Sequence, residues 1–187
     1  MTGWTQLVAV IVLGAAAGGT AAQNGGVDAA LLAKANAGDA AAEVQVGERY
    51  AEGIDVTQDY QQAAAWYDRA AKQGNIAGEL HLADLYRDGR GKAFARDPAQ
   101  AAALYRKAAD QGDAGAQGTL GMLYTLGVGV PRSDVEAYFW LDLAASAKGP
   151  KQAQYAANRQ NVGTRITADE LEDVQQRVAK WKAAHQR

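Results

Sequence analysis

The stretch "DPAQAAALYRKAADQG", residues 97–112, decides how this chain is read, because "DYQQAAAWYDRAAKQG", residues 59–74, precedes it by 38 positions in nearly the same form. Around the pair, Gly38, Gly74 and Gly112 set a frame. Each is followed after 12 residues by a tyrosine (Tyr50, Tyr86, Tyr124) and after 15 by a second glycine (Gly53, Gly89, Gly127). Asp59, Asp97 and Ser133 then open the next element, 21, 23 and 21 residues beyond the first glycine. The basic period is 36 residues, and the middle unit carries two extra residues in the loop "GRGKAFARD". A fixed period of this size marks stacked supersecondary units, each of which buries its apolar face against its neighbours.

Each unit reads as two helices. The first carries a small residue, an aliphatic, a second small residue and the tyrosine: Ala42, Val46, Gly47, Tyr50; Gly78, Leu82, Ala83, Tyr86; Ala116, Leu120, Gly121, Tyr124. These lie three to four apart and share one face. A glycine inside a helix costs about 1 kcal/mol, so close approach of another helix is the expected compensation. The second helix opens on Asp59, Asp97 or Ser133, all good N-caps. Gln62, Gln100 and Glu136 stand three positions on, the spacing of a capping box. The stripe that follows is Ala63, Trp66, Tyr67, Ala70; Ala101, Leu104, Tyr105, Ala108; Ala137, Trp140, Leu141, Ala144. Pro98 suits a first helical position, and Gly74 and Gly112 suit left-handed helix ends. Every repeated residue thus has an architectural task. A local function belongs where the units differ.

Composition narrows the rest. The 187 residues carry a net charge of −2, which offers no basic field to nucleic acid. Residues 1–150 hold 12 Lys/Arg against 17 Asp/Glu, and residues 151–187 hold 7 against 4, a mildly basic tail read as a solvated helix face. No cysteine is present, which excludes disulfides, thiolate zinc ligands and a thiol nucleophile. His81 and His185 lie far apart, so no metal and no cofactor is expected. The apolar run "LVAVIVLGAAAGG", residues 7–19, is too short to span a bilayer, which takes about 20 residues. With "TAA" at 20–22 it reads as a signal peptide, although "MTGWTQ" lacks a basic residue. The expected organisation is a signal peptide at 1–22, a linker at 23–27 and one repeat domain at 28–187. Its units fall at 38–73, 74–111 and 112–148, and a cap follows at 150–187. The cap ends on a capping box, "TADE", and a stripe of Leu171, Val174, Val178 and Trp181. Localisation is then periplasmic or secreted.

Residues 116–149 resemble a Sel-one-like repeat, a relative of the tetratricopeptide repeat. The resemblance rests on Leu120-Gly121, Tyr124, "GVGV" at 127–130, Ala137, Trp140 and Ala144-Ala145. The second unit matches at Leu85-Tyr86, Gly89, Gly91, Asp97, Ala101, Tyr105 and Gly112, and the first at Tyr50, Gly53, Asp59, Trp66-Tyr67 and Ala70-Ala71. The first unit departs at "GIDV", where the family has a further glycine. The resemblance implies an all-α, right-handed α/α superhelical solenoid with a concave groove lined by first helices, and an adaptor that binds other proteins. Some cysteine-rich secreted relatives hydrolyse β-lactams; this chain lacks their cysteines, so that activity is not carried over.

Partner contact is therefore expected at groove positions of the first helices. These are Val44, Glu48 and Glu52 in unit one, Leu80, Asp84, Arg87 and Asp88 in unit two, and Met122, Thr125 and Leu126 in unit three, beside Gly118. They run from acidic to apolar, which suits a protein or peptide with basic and hydrophobic ends. The apolar end could instead be covered by the C-terminal helices. Ser133 reads as a cap rather than a nucleophile, and no catalytic group is expected. His81, Asp84 and Asp88 read as a helix face rather than a metal site. Tyr60 and Phe94 fall outside the repeat pattern and are expected to be exposed. The alternatives to an adaptor are an envelope hydrolase and a structural solenoid that self-associates weakly through its ends.

Overall fold

The computed structural model describes residues 26–185, so the expected signal peptide and most of the linker lie outside the described residues. The described residues form an all-α helical repeat solenoid. Its helices are α1 Ala29–Asn36, α2 Ala40–Glu52, α3 Tyr60–Lys72, α4 Ile76–Asp88, α5 Pro98–Asp110, α6 Ala114–Leu126, α7 Asp134–Ser146, α8 Gln152–Gly163 and α9 Ala168–His185. The units are α2/α3, α4/α5 and α6/α7, each packed against the next; α1 packs on α2, and α8 and α9 pack on α7.

A two-residue hinge, glycine followed by Asp or Asn, sets the frame. Gly38, Gly74 and Gly112 are left-handed, with φ of 91°, 75° and 93°. The amides of Asp39, Asn75 and Asp113 return to the carbonyls of Lys34, Ala70 and Ala108 at 3.1–3.2 Å, closing a Schellman motif. The side chains of the same three residues cap the next helix at Ala42, Gly78 and Ala116. One dipeptide therefore ends one helix and starts another.

Asp59, Asp97 and Ser133 cap α3, α5 and α7 through their side chains, as expected. The capping boxes do not close. The cap's own amide donates instead to the carbonyl of Tyr50, Tyr86 or Tyr124, at 2.9, 2.8 and 3.0 Å. Gln62, Gln100 and Glu136 are thereby relieved of that task. The reciprocal box does form at α9, where Thr167 N donates to Glu170 Oε2 at 2.8 Å and Glu170 N to Thr167 Oγ1 at 3.3 Å.

The small residues of the first helices are contact points. A methyl group on Gly47 would lie 2.5 Å from the Tyr67 ring, and one on Gly121 would lie 2.6 Å from Leu141. Trp140, Leu120 and Leu141 are fully enclosed. Glu43, Glu79 and Gln117 share one slot of the first helices and are also buried. Gln73 and Gln111 donate to Glu43 and Glu79 at 2.7 and 2.8 Å, and Gln117 donates to the Ala109 carbonyl at 3.1 Å. Burial raises the Glu79 carboxyl above its ordinary value, against the opposing pull of Lys107 and Gln111.

The basic tail is not a merely solvated face. Arg159 and Lys182 pair with Asp142 at 2.5 and 3.1 Å, Arg165 with Asp134 at 2.6 Å and Arg177 with Glu136 at 2.7 Å. Its cations tie α8 and α9 to the acidic surface of α7. Among the described residues no helix is long and apolar enough to cross a membrane.

Candidate functional site

The unit offsets place Glu48, Asp84 and Met122 in one slot of successive first helices. In units one and two this slot opens onto a cavity of about 280 Å³. Glu48, Ala51 and Glu52 line it from α2, and His81, Asp84, Leu85 and Asp88 from α4. Tyr60 and Tyr67 line it from α3, and Arg90 from the loop after α4. Two sequence-predicted acidic pairs, 36 residues apart, thus face one space.

Its electrostatics are uneven. Arg87 pairs with Asp84 and with Asp88, each at 2.7 Å. The hydrogen bond from Arg87 holds the Asp88 carboxyl below its ordinary range. Arg90 reaches Asp88 at 3.7 Å and lies over the Tyr60 ring at 5.2 Å. Glu48 meets only His81 Nε2, at 3.3 Å, and among the described residues no cation pairs with Glu52. The His81 ring stacks on Tyr67 at 5.0 Å and forms a flat floor. Burial, then the charges of Glu48 and Glu52, push the Tyr67 hydroxyl up. The arrangement presents unspent negative charge over an aromatic base. It is suited to holding a cation, and it offers no nucleophile paired with a base.

The other predicted positions divide. Val44 does not line the groove: at 6 % exposure it belongs to the core. Leu80, one unit on, is half-buried and packs on the same core. Gly118 is covered by Tyr155 of α8. Met122 is half-buried, and Asn158 of α8 donates to its sulfur at 3.3 Å, so the C-terminal helix shields that slot. Thr125 returns its hydroxyl to the Gly121 carbonyl, and Leu126 stands 64 % exposed. Tyr60 and Phe94 are not free: both are half-buried, and Phe94 packs on Tyr86 with ring centroids 5.1 Å apart. In the loop at 89–96, Arg96 Nε donates to the Arg87 carbonyl at 2.8 Å, and Arg90 is spent on Tyr60 and Asp88. The sequence reading missed Ala51 and Tyr67 as members of the site and took His81 only as part of a helix face.

The family model for the Sel1 repeat matches residues 40–75, 76–113 and 114–148, one unit each. The chain belongs to the Sel1 repeat family. A solved Sel1 repeat protein from Oxalobacter formigenes is 30 % identical, with a TM-score of 0.62 over 71 % of this chain and 96 % of that one. Helicobacter pylori cysteine rich protein B is 20 % identical, with a TM-score of 0.51 over 70 % of this chain and 98 % of that one, and shares the fold. Among curated proteins none shows significant similarity. The Sel1 repeat is characteristically a scaffold for protein–protein interaction.

Proposed function

We propose that this protein is an exported adaptor, without catalytic activity, that binds a protein or peptide partner along the face of α2, α4 and α6. The observation that carries the reading is the row of slots on that face. Glu48 and Glu52, then Asp84 and Asp88, then Leu126 vary in character while the packing residues beside them repeat. Variation confined to a surface row is how a repeat scaffold changes partner without changing fold. The row grades from acidic to apolar, so the matching partner segment is basic at one end and hydrophobic at the other. The apolar run at 7–19 supports export to the periplasm or beyond.

Binding kinetics test it, with the full chain captured against its partner from the native envelope fraction. Glu48→Lys and Asp84→Lys should slow association and flatten its salt dependence, since rim charges steer encounter. Leu126→Lys should speed dissociation, since it places a charge in an apolar contact. Ser133→Ala should lose about 1 kcal/mol of stability with its cap and bind normally. If all three groove variants bind like the wild type while folded, another surface carries the interaction. N-terminal sequencing tests export: the native protein should begin near Gln23, and a cytosolic protein that begins at Met1 refutes it.

A further inference from the structure

Units one and two carry the same constellation with one difference. In unit two, Asp84, Asp88 and Tyr105 surround the Arg87 guanidinium. Its Nη1 donates to Asp84 and to the Tyr105 hydroxyl, its Nε donates to Asp88, and the Tyr105 hydroxyl donates to Asp84. One unit earlier, Glu48, Glu52 and Tyr67 hold the corresponding places, and Ala51 stands where Arg87 stands. Tyr67 is 3 % exposed, lines the cavity, and its hydroxyl has no hydrogen-bond partner among the described residues. The ring is buried but its hydroxyl opens on the cavity, so the hydroxyl is left to solvent or to a group that enters from outside the chain. Glu52 lacks a cation, and Glu48 has only a histidine. The acceptor set that holds Arg87 is thus repeated without its own guanidinium.

We propose that the cavity over Tyr67 receives an arginine side chain of the partner polypeptide, in the place that Arg87 takes one unit later. This rests on the proposal that the groove binds a polypeptide. A guanidinium fits better than an ammonium because its planar fork of five donors reaches Glu48, Glu52 and the Tyr67 hydroxyl together. Arg90, held by Asp88 and lying over Tyr60, also lines the cavity, so the free negative charge there is that of Glu48 and Glu52.

The test uses the ¹⁵N-labelled full chain and capped acetyl-Gly-Arg-Gly-amide, titrated by chemical-shift mapping. Shifts should centre on Glu48, Ala51, Glu52, Tyr67 and His81. The citrulline counterpart, neutral and nearly isosteric, should bind at least about tenfold more weakly, because the charge-assisted bonds are lost. Ala51→Arg, which supplies the guanidinium from within, should abolish binding, and Glu52→Gln should weaken it several-fold should Ala51→Arg fail to fold. Tyr67→Phe should weaken it several-fold with an unchanged melting temperature. Equal binding of the citrulline peptide, equal binding of the lysine peptide, or shifts that persist in both Ala51→Arg and Glu52→Gln overturn the assignment. Tighter binding of free L-arginine than of the capped peptide overturns a polypeptide source. The two proposals fail separately. If the peptide does not bind but partner kinetics respond to Glu48→Lys, only the arginine assignment falls. If the peptide binds and Ala51→Arg blocks it while the captured partner is unaffected, the cavity takes an arginine that this partner does not supply, and the groove reading falls.

Discussion

Replacing Trp140 tests the core and an unusual feature within it. The ring is 1 % exposed, meets Phe139 edge-on at 4.9 Å, and lies under the Arg106 guanidinium at 4.9 Å. Its indole N–H is buried without a partner. Truncating a buried tryptophan to alanine costs about 3–5 kcal/mol through lost burial and the cavity left behind. Loss of the cation–π contact is worth about 0.5–2 kcal/mol of that. Against it stands relief of the unpaired donor, a penalty of about 1–3 kcal/mol. Trp140→Ala should therefore fall near the low end, about 3 kcal/mol, or roughly 6–12 °C of melting temperature for a chain of this size. Trp140→Phe keeps an aromatic face for Arg106 and discards the orphan donor, so it should cost about 1 kcal/mol or less. Urea unfolding followed by circular dichroism reads both, with thermal melts as a check on two-state behaviour. If Trp140→Ala is as stable as the wild type, the ring is not core. If Trp140→Phe costs as much as Trp140→Ala, the indole N–H has a partner and its removal relieves nothing.

Other outcomes follow from single residues. Gly112→Val should lose roughly 1–2 kcal/mol in denaturant titration, because φ of 93° strains a β-branched residue although its Cβ would meet only Trp181, at an ordinary contact distance of 3.8 Å. Asp55 is left-handed (φ 61°) where the other units place Gly91 and Gly129, so Asp55→Gly should raise stability by up to about 1 kcal/mol, less whatever the exposed pair with Arg49 contributes. Glu79→Gln should be more stable than the wild type at pH 7 by a fraction of a kcal/mol, with the gap closing below the ordinary carboxyl value of 4.5. The sign follows from its raised folded value: the proton is held more tightly in the folded protein, so Glu79 favours folding at low pH and that contribution is lost as pH rises through the folded value. A pH series of urea midpoints in which the gap widens toward pH 3 would refute the burial of this carboxyl.

The frame was legible because a period allows comparison. Three copies of Asp59, Asp97 and Ser133 identified the caps, and three glycines identified the helix ends. What the sequence hid was set by backbone or by depth. The amides of Asp59, Asp97 and Ser133 bond to tyrosine carbonyls, and a backbone acceptor leaves no mark in residue type. Glu43 and Glu79 look like surface acids, and only the packing of neighbouring helices shows that they are enclosed. Val44 shares its helix with Glu48 and Glu52, which line the cavity, but a helix packed on two sides has no single apolar face, so spacing misassigned it. Met122 was grouped with Glu48 by register, which is correct, but α8 lies across it, which register cannot tell. Of the candidate site, the acids Glu48, Glu52, Asp84 and Asp88 were readable. The tyrosine beneath them was taken wholly as packing, because burial of its ring conceals that its hydroxyl faces a cavity.

A buried ring with an open polar tip is one way in which a repeat scaffold can acquire specificity. Packing fixes Tyr67 and Tyr105 in equivalent places: a methyl group on Gly47 would strike the ring of Tyr67, and Ala83 is fully buried at the matching position beside Tyr105. The polar tip of each ring is then presented to the same corner of the groove with no further design. What the corner does depends on one neighbouring residue of the first helix. With Arg87 the corner is satisfied internally, its acids neutralised and the ring tip occupied. With Ala51 the same acids and ring tip stay available. In unit three, Thr125, Leu126 and Leu141 replace the cation, the second acid and the ring, and the corner becomes apolar. Three states of one corner, open and acidic, filled, and apolar, lie in order along the chain. None of the three requires a change in the buried stripe, so partner choice can shift by single surface substitutions at little cost to stability, since such changes usually stay within about 0.5 kcal/mol. The order also gives the groove a direction: a bound segment would set its arginine at unit one and its apolar residues toward Leu126, and the reversed sequence of the same peptide should bind more weakly.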